Sequence, residues 1–566
     1  MTPPKKSACL LFGLMCCFLF PGPVLKAATG DKSMVVTPDA RATQAGLEVL
    51  RQGGNAIDAA IAAQWVLNVV QPQASGIGGS GQILLYDAPM RRILYYDGNT
   101  RAPGEASRGL FLDGQGRLPP YRPDRNTGGL PVGVPGLLKL LQEIHFQYGT
   151  KKFTFEELFD PAIRMAEEGV EVCGPLAQAL REETSRLSLS PISKKDLSGD
   201  NGQPLEEGQK FFQPELAKTL RLIQGNGTGV FYKGEIAEAM VRTVRNDPYA
   251  PGVLSLRDLE KYAAVRRDPV HGNYHGYDLF SLGAPASGGI LLLRGLNVLS
   301  SFDVSGLGRT TDIFHLLEEV QKIALTNRAA IADPDFFNIP EKELLSQAWA
   351  KAKAGSIQLD KASKENVTPN PALESMKRPA RASILAADAQ GNRVILSSSL
   401  GDAFGSAIKV PGYGFFLNNS LTDFDADLAS VNDPGAANVV APDQRPRNAA
   451  APLFAFKEGR FALMLDAYGP DEPAAVLLNL IILKLDLGVT CEKALAAPRL
   501  VDAGGITQIE SELYDDGLVR TFLELSGQTV EKKEDLGRVQ MIFFEKDTGK
   551  MIGGSDPRGA GEAAGF

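Results

Sequence analysis

The chain has 566 residues, of which 44% are hydrophobic and 22% charged, a balance typical of a globular protein with a substantial core. Its formal net charge is -8, and no long stripe of lysine and arginine occurs. Composition therefore gives no electrostatic reason to expect a nucleic-acid partner. We expect a small-molecule ligand, such as a peptide or an amino-acid-like compound, or a protein partner of unknown identity.

The N-terminus predicts a secretory signal peptide over residues 1–28. Two lysines precede the apolar run Cys9–Phe20, which is too short to span a bilayer, and Pro-Gly-Pro and small residues follow it. Cleavage is expected near Ala27 or Ala28. No later stretch is long and apolar enough for a transmembrane helix, so we expect a secreted or periplasmic protein with no stable membrane span.

The cysteines leave two questions open. A lipid anchor on Cys16 or Cys17 is the alternative to simple cleavage, although the residues before them are poor neighbours for a lipidated cysteine. Cys173 and Cys491 remain in the mature chain. In an oxidising compartment they either form a disulfide or stay as buried thiols.

The first elements after the leader are helical. Apolar residues at helical spacing begin at Ala40, the pattern stops at Gly53–Asn55, and a more buried helix is predicted over Ala56–Val70. The glycine-rich "SGIGGSG" that follows leads from a helix into a strand. A phosphate-binding loop has the opposite order, so these glycines predict a tight turn beside a packed site.

The rest of the chain alternates helical and strand-rich regions. Residues 135–259 are predicted to be mostly helical, and strands return from Arg267. After a Lys-, Ala- and Pro-containing segment, residues 359–379, the strands "ASILAAD", "NRVILSSS", "GFFLNN" and "RFALMLDA" are predicted, then the helix "AAVLLNLIILKLDLG" and two terminal strands. Two helical layers enclosing sheet are the natural architecture.

The four histidines do not predict a metal or catalytic site. His271 and His275 have the spacing of a helical metal-binding pair, but the glycine-broken "HGNYHGY" favours strand and turn. No Ser-His-Asp signature is evident, and we expect no cofactor and no metal.

Several segments in fixed order resemble the γ-glutamyltranspeptidase family from about Met34 to Phe566. They are "GLEVLRQGGNAIDAAIAAQWVLNVVQPQASGIGGSG", "GGLPVGVPG", "FEELFDPAIRMAEEGVEV", "FYKGEIAEAMV", "APASGGI", "GFFLNNSLTDF", "APRLV" and "GGSDPRGAGEAAG". The resemblance implies an α+β fold, the four-layer αββα sandwich of N-terminal-nucleophile hydrolases. It also implies a precursor that cuts itself into a large and a small subunit, equivalent here to residues 29–380 and 381–566.

In the family, the residue freed by the cut is a threonine that attacks a γ-glutamyl amide. The family motif is Thr-Thr-His, an aromatic or apolar residue, Ser-Val-Val-Asp, and two residues before Gly-Asn. With Asp388 as the motif aspartate and Gly391 and Asn392 as the Gly-Asn pair, the nucleophile's position falls on Arg381. Arginine has no nucleophilic atom and cannot carry out the acyl shift of self-cleavage. The nearest hydroxyl is Ser383, a candidate displaced nucleophile or an ordinary strand serine.

Other positions of the family's site also differ. Asn99 stands where the resemblance expects a carboxylate-binding arginine, with Arg101 two residues away, and Asn448 and Ala449 replace a serine pair. The oxyanion-hole glycine pair corresponds to Gly469 and Pro470, and proline has no N–H to donate.

The family's core-strand asparagine corresponds to Gly401, and a polar position after two asparagines to Ser420. Two positions are kept: Asp423, which in the family binds the substrate amino group, and Ser399, where a threonine supports the nucleophile. Asp423 also fits a turn aspartate that caps backbone.

Three functions follow as hypotheses. The leading one is an uncleaved, catalytically inactive homologue that binds a ligand in its remodelled cleft or serves a protein partner. The alternative is an active amide hydrolase or acyltransferase with Ser383 as nucleophile and altered specificity. Ordinary glutathione hydrolysis is the third, and the altered residues argue against it.

Overall fold

The computed structural model describes residues 27–199, 201–363, 379–469 and 472–566. The predicted signal peptide lies outside these residues except at Ala27 and Ala28, as do Pro470 and most of the segment 359–379. No helix in the described ranges combines the length and the apolar composition that crossing a membrane requires.

The strands are listed in chain order: β1 (Ala28–Gly30), β2 (Met34–Thr37), β3 (Ser80–Asp87), β4 (Arg92–Gly98), β5 (Val170–Glu171), β6 (Lys210–Phe211), β7 (Val265–Arg267), β8 (Val270–Tyr274), β9 (Tyr277–Ser281), β10 (Pro379–Ala387), β11 (Arg393–Asp402), β12 (Leu453–Lys457), β13 (Arg460–Tyr468), β14 (Leu500–Asp502), β15 (Ile506–Glu510), β16 (Thr529–Lys533), β17 (Arg538–Glu545), β18 (Lys550–Ser555) and β19 (Glu562–Gly565).

The α-helices are α1 (Ala40–Arg51), α2 (Ala56–Val70), α3 (Leu137–Tyr148), α4 (Asp160–Glu168), α5 (Gly174–Leu187), α6 (Pro191–Asp196), α7 (Pro214–Asn226), α8 (Gly229–Tyr232), α9 (Glu235–Arg245), α10 (Leu256–Glu260), α11 (Ser287–Leu299), α12 (Thr310–Leu325), α13 (Glu341–Leu344), α14 (Gln347–Ala354), α15 (Leu428–Asn432), α16 (Pro473–Ile481), α17 (Cys491–Ala496), α18 (Ser511–Asp516) and α19 (Leu518–Leu525).

Two seven-stranded sheets form the centre of the molecule. We call β19-β2-β10-β11-β3-β4-β7 the first sheet and β1-β18-β17-β13-β12-β9-β8 the second sheet. An apolar core that includes Leu385 of β10 and Met464 of β13 lies between them. Helices such as α2 cover the outer face of the first sheet, and α11, α12 and α16 cover that of the second. The architecture is the expected α+β, four-layer αββα sandwich.

Much of the predicted local structure is confirmed. Helix α2 spans the predicted Ala56–Val70, and Asn55 caps it by accepting from the backbone N–H groups of Ile57 and Asp58. The glycine-rich loop joins α2 to β3 as a turn. Cys173 and Cys491 are both free thiols, which resolves the question of pairing.

One predicted strand is wrong. The segment "GFFLNN", residues 414–419, lies outside the regular strands and forms single bridges through Phe416 to Lys409 and through Leu417 to Gly78. Its buried aromatic and apolar residues resemble a strand pattern in sequence. They instead pack as irregular backbone against the glycine-rich loop, where a Cβ on Gly78 would lie 2.1 Å from the Phe416 carbonyl oxygen.

A buried acidic pair lies behind the second sheet. Glu318 of α12 accepts a hydrogen bond of 2.7 Å from the Thr507 hydroxyl. Burial and the neighbouring Asp502 raise the pKa of Glu318 to about 8. The folded protein therefore holds a proton on this carboxyl over a pH range in which an unfolded chain has lost it.

This pair predicts a pH dependence of stability. An unfolded glutamate ionises near a pKa of about 4.3, so between about pH 5 and 8 the folded state binds more protons than the unfolded state. The free energy of unfolding should fall as pH rises through this range, by at most about 1.4 kcal/mol per pH unit from this group.

Thermal unfolding midpoints of wild type and Glu318→Gln, measured across this pH range, test the prediction. The variant should lose part of the slope. Glu319→Gln is the matched control because the pKa of Glu319 is lowered, burial being outweighed by contacts that include Lys322. An unchanged slope in Glu318→Gln would contradict the assignment.

Candidate active site

The hairpin of β10 and β11 positions the candidate site at the centre of the first sheet. Asp388 Oδ1 accepts a hydrogen bond of 2.9 Å from the Asn392 backbone N–H, and Gly391 has the positive φ of 95° that closes the turn. Asp388 Oδ2 also accepts from the Ala56 N–H, 3.0 Å away, at the start of α2. The residues that fixed the sequence register therefore form the turn between the two strands.

Arg381 lies in β10, near the end of the strand that is farthest from the turn. It pairs with Ser399, whereas Ala380 pairs with Gly401, and the register shifts between Ala380 and Arg381. This bulge interrupts the ladder at the position of the family nucleophile.

The Arg381 side chain lines a cavity of about 30 Å³, which is room for one or two water-sized groups. The other lining residues are Ser80, Gly81, Gln82, Asn99, Ser397, Ser398, Ser399, Gly401, Ser420, Asp423, Asn448 and Ala450. Most of the polar positions proposed from sequence thus converge on one cavity. It lies where β3, β10 and β11 meet the loops that carry Ser420 and Asn448.

The Arg381 guanidinium is poorly satisfied. Its Nη1 nitrogen is buried and has no hydrogen-bond partner among the described residues. Burial lowers the pKa of Arg381, although the carboxylates of Asp423, Glu472 and Asp466 favour the charged form. A buried donor without an acceptor is costly, by about 1–3 kcal/mol.

Ser383 is placed away from the cavity. It is fully buried in the middle of β10, opposite Ser397, and does not line the cavity. Its Oγ makes no hydrogen bond of good geometry in the described part of the chain, but it lies close enough to the Asp466 carboxyl to favour the ionised form of that group. The same strand face carries both Arg381 and Ser383, but the serine lies deeper between the sheets.

Asp466 of β13 is a buried carboxyl beside the candidate site, and its pKa is raised. Its Oδ2 accepts a hydrogen bond of 2.5 Å from Ser397 Oγ. Burial raises the pKa of Asp466 to about 6, although the neighbouring serines and Arg381 favour its ionised form. Sequence reasoning missed Asp466 and Ser397. The only sequence signal for Asp466 is a charged residue near the end of an apolar strand. For Ser397 it is the run of three serines in β11.

Ser399 has a backbone-binding role. Its hydroxyl donates to the Ala380 carbonyl at 2.7 Å and accepts from the Gly401 N–H at 2.9 Å. Both bonds lie across the bulge beside Arg381. Ser399 therefore holds the two strands together at the nucleophile's position.

Asn99 lines the cavity, but its side chain is hydrogen-bonded to backbone groups. Its Nδ2 donates to the Pro446 carbonyl at 3.0 Å, and its Oδ1 accepts from the Thr100 N–H at 2.9 Å. The nearby Arg101 lies outside the cavity lining and forms an ion pair of 3.4 Å with Asp443. Arg101 therefore does not restore the missing cation.

One of the two polar atoms of the Asn448 side chain has a hydrogen-bond partner. Its Oδ1 accepts from the Ala450 N–H at 3.1 Å, but its Nδ2 is buried with no hydrogen-bond partner among the described residues. The Ser287 N–H donates to the Asn448 carbonyl at 2.7 Å, which fixes the backbone of this loop against α11. The Asn448 side chain is therefore held on a fixed backbone, with its Nδ2 group buried.

The surroundings of position 401 require a glycine. Its φ is 99°, and a Cβ built there would lie 2.0 Å from Asn419 Oδ1. The side chain that the family carries here could enter only if Asn419 moved. Ser420 and Asp423 bound a short 3₁₀ turn that follows Asn419 and faces the cavity.

Gly469 directly follows β13, has a φ of 115° and does not line the cavity. Pro470, the proposed replacement of an oxyanion donor, lies outside the described residues, so its effect stays a prediction. Within those residues, no cluster of three or more histidine, cysteine or acidic side chains could hold a metal ion.

Comparison with known proteins decides the family. The sequence model described as Gamma-glutamyltranspeptidase matches residues 42–566. The chain belongs to the γ-glutamyltranspeptidase family. Among the relatives of this family member is the glutathione hydrolase proenzyme of Bacillus subtilis (strain 168), 34% identical over 557 residues that cover 95% of this chain and 92% of the relative.

A second relative has a different name. The Acylase ACY 1 proenzyme of Pseudomonas sp. (strain V22) is 32% identical over 531 residues, 92% of this chain and 91% of the relative. Among solved structures, the cephalosporin acylase from Bacillus halodurans matches with a TM-score of 0.81 and 25% identity, covering 97% of this family member and 98% of that chain. Hydrolase and acylase names thus both occur among proteins similar to this one.

Proposed function

We propose that this γ-glutamyltranspeptidase family member remains one uncut chain, has no amide-cleaving activity, and binds a small ligand in its remodelled cleft. The observation that carries the proposal is the position of Arg381. Arg381 lines the cavity at the place that the family motif assigns to the nucleophile.

The chemistry supports this conclusion directly. A nucleophile for acyl transfer needs a hydroxyl, thiol or amine that can lose a proton, and a guanidinium stays protonated. Without a hydroxyl or thiol at Arg381, the preceding peptide bond has no group to drive its own cleavage. The backbone around it instead continues as strand, with Ala380 opposite Gly401.

The alternative nucleophile is not favoured. Ser383 would have to meet a substrate that the cavity does not bring to it, because it is buried opposite Ser397 and outside the cavity lining. A cut before Ser383 would also remove Arg381 from its pairing with Ser399. These contacts support a structural serine.

The cavity retains polar groups after the loss of catalysis. Asp423, Asn448 and Ser420 still face it. We infer that ligand binding is the function that these groups serve. The predicted signal peptide supports export of the protein. We further propose that the boundary between the family's two subunits corresponds to residue 380, and that the two regions stay joined in this chain.

A paired assay tests the proposal. Wild type and Ser383→Ala should give the same background release of product from a γ-glutamyl anilide, and both should run as one band on a denaturing gel. Activity in wild type that disappears in Ser383→Ala would establish the alternative. Ser281→Ala is the control, because Ser281 is also a fully buried strand serine but lies in β9 of the second sheet, outside the cavity lining, where its Oγ donates to the Pro452 carbonyl at 2.6 Å.

A further inference from the structure

A second, larger cavity lies in the helical layer over the first sheet, between α1 and α4. We call it the outer groove, and its volume is about 700 Å³. It shares no lining residue with the cavity of Arg381. Pockets that enclose small organic ligands typically measure about 300–1,000 Å³. The outer groove is therefore large enough for a ligand of its own.

The floor of the outer groove is apolar. Its lining includes Ala45 and Val49 of α1, Ala62 of α2, and Leu158 and Met165 from the segment around α4. All of these except Met165 are buried. Small alanine side chains at two of these positions leave space between helices that larger side chains would fill. Apolar ligand surface placed on this floor would leave water, which is favourable.

The rim of the outer groove carries an excess of negative charge. Four carboxylates and two guanidiniums line the groove, which leaves an excess of two negative charges. They belong to Glu48, Glu157, Asp160, Glu562, Arg41 and Arg164. Arg41 is already bound by Asp39, a residue outside the lining, which accepts from its Nε at 2.8 Å and from its Nη2 at 2.7 Å. The negative charge is therefore the less compensated one.

Neutral side chains hold two of these carboxylates in place. Glu48 accepts a hydrogen bond from Gln52 Nε2 at 2.7 Å, and Glu562 accepts one from Gln44 Nε2 at 2.9 Å. An amide donor orients a carboxylate without cancelling its charge. Both groups therefore remain able to attract a cation.

The cations near the rim are distant or bound elsewhere. Arg51 Nη1 lies 3.9 Å from Glu48, and both side chains are about half exposed. Arg221 is close enough to Asp160 to respond to its charge, but its Nε donates to Glu167 at 2.6 Å. Exposed pairs of this kind are weak, so a ligand cation can compete for the rim carboxylates.

We propose that the outer groove binds a small molecule with an apolar body and one cationic ammonium group. The floor takes up the apolar body, and the rim carboxylates attract the cation. The same rim repels an anionic ligand of equal size. This site does not depend on the proposed function, because it involves neither Arg381 nor the central cavity.

Isothermal titration calorimetry on the full exported chain tests the proposal with three compounds of similar shape. Phenylbutylamine is cationic at neutral pH, phenylbutanol is neutral and phenylbutyrate is anionic. The amine should bind at least about tenfold more tightly than the carboxylate, with the alcohol between them. Butylamine lacks the ring and should bind at least about tenfold more weakly than phenylbutylamine. Raising the salt concentration from about 0.05 to 0.5 M should reduce the preference for the amine.

Two variants locate the bound amine. Glu48→Gln and Asp160→Asn remove exposed charges and should each weaken phenylbutylamine binding about twofold to fivefold, with phenylbutanol unaffected. Glu143→Gln is the matched control. Glu143 of α3 accepts from Gln147 Nε2 at 2.8 Å, with the same spacing as Glu48 and Gln52, but lies outside the groove lining. This variant should bind the amine as wild type does.

The proposal is overturned if phenylbutylamine shows no binding up to about 10 mM. Equal binding of phenylbutanol or phenylbutyrate would also overturn it, by identifying an apolar or an anionic occupant. So would Glu48→Gln and Asp160→Asn variants that bind the amine as well as Glu143→Gln does. Asp423→Asn neutralises a carboxylate of the central cavity and should leave binding unchanged. Loss of binding in that variant alone would place the amine in the central cavity and contradict the proposal.

Discussion

In an assay with a γ-glutamyl anilide, the purified protein is expected to release product at the rate of the buffer alone. Removing the nucleophile from a hydrolase that acts through a covalent intermediate lowers kcat by roughly a millionfold. Here Arg381 supplies no replacement, and Ser383, the hydroxyl nearest to it along the chain, lies outside the cavity. The loss should therefore be nearly complete.

The Bacillus subtilis glutathione hydrolase relative is the positive control, at equal protein concentration and with the same substrate. A rate within about a thousandfold of the relative would exceed what binding and polarisation alone retain after a nucleophile is lost. That result would show that another group in this chain carries the reaction.

The substitution Asp402→Ala is expected to destabilise the fold by about 3–5 kcal/mol, the cost of breaking a buried charged network. Asp402 ends β11, where its Oδ2 accepts from Tyr121 Oη at 2.8 Å and from Asn126 Nδ2 at 2.7 Å. Burial alone would raise the pKa of this carboxyl, but Arg186 and Arg122 outweigh it and lower the pKa. Alanine would leave these donors and charges unpaired.

Urea unfolding followed by circular dichroism measures this loss. Glu167→Ala is the control, because Glu167 is paired with Arg221 at the surface and such a pair contributes only about 0–1 kcal/mol. A loss for Asp402→Ala no larger than that of the control would contradict a stabilising network at the end of β11. Since Asp402 follows Gly401, its loss should also disturb the cavity.

Sequence patterns predicted the local structure where short-range rules dominate. The strands "ASILAAD" and "NRVILSSS" were predicted, and the turn between them needs only an aspartate acceptor and a glycine with positive φ within five residues. Helix α2 was predicted to its ends because its cap lies in the adjacent residues. The segment 414–419 was misassigned because its apolar pattern is shared by strands and by buried irregular backbone.

The candidate site was predicted only in part. The predicted strand began at Ala382, whereas β10 begins at Pro379 and includes Arg381, which pairs with Ser399. The Asn99 side chain is hydrogen-bonded to backbone groups, and Asn448 Nδ2 has no partner among the described residues. Both features depend on contacts between distant segments, which no local sequence pattern encodes. The same holds for Asp466, which reaches the site from the second sheet.

The central claim is that Arg381 has replaced the nucleophile and leaves the chain whole. The most direct test is the intact mass of the purified, exported protein under denaturing conditions. We predict one species whose mass equals the chain without its signal peptide. Two species whose masses sum to that mass plus one water, one of them beginning between Arg381 and Ser383, would contradict the account.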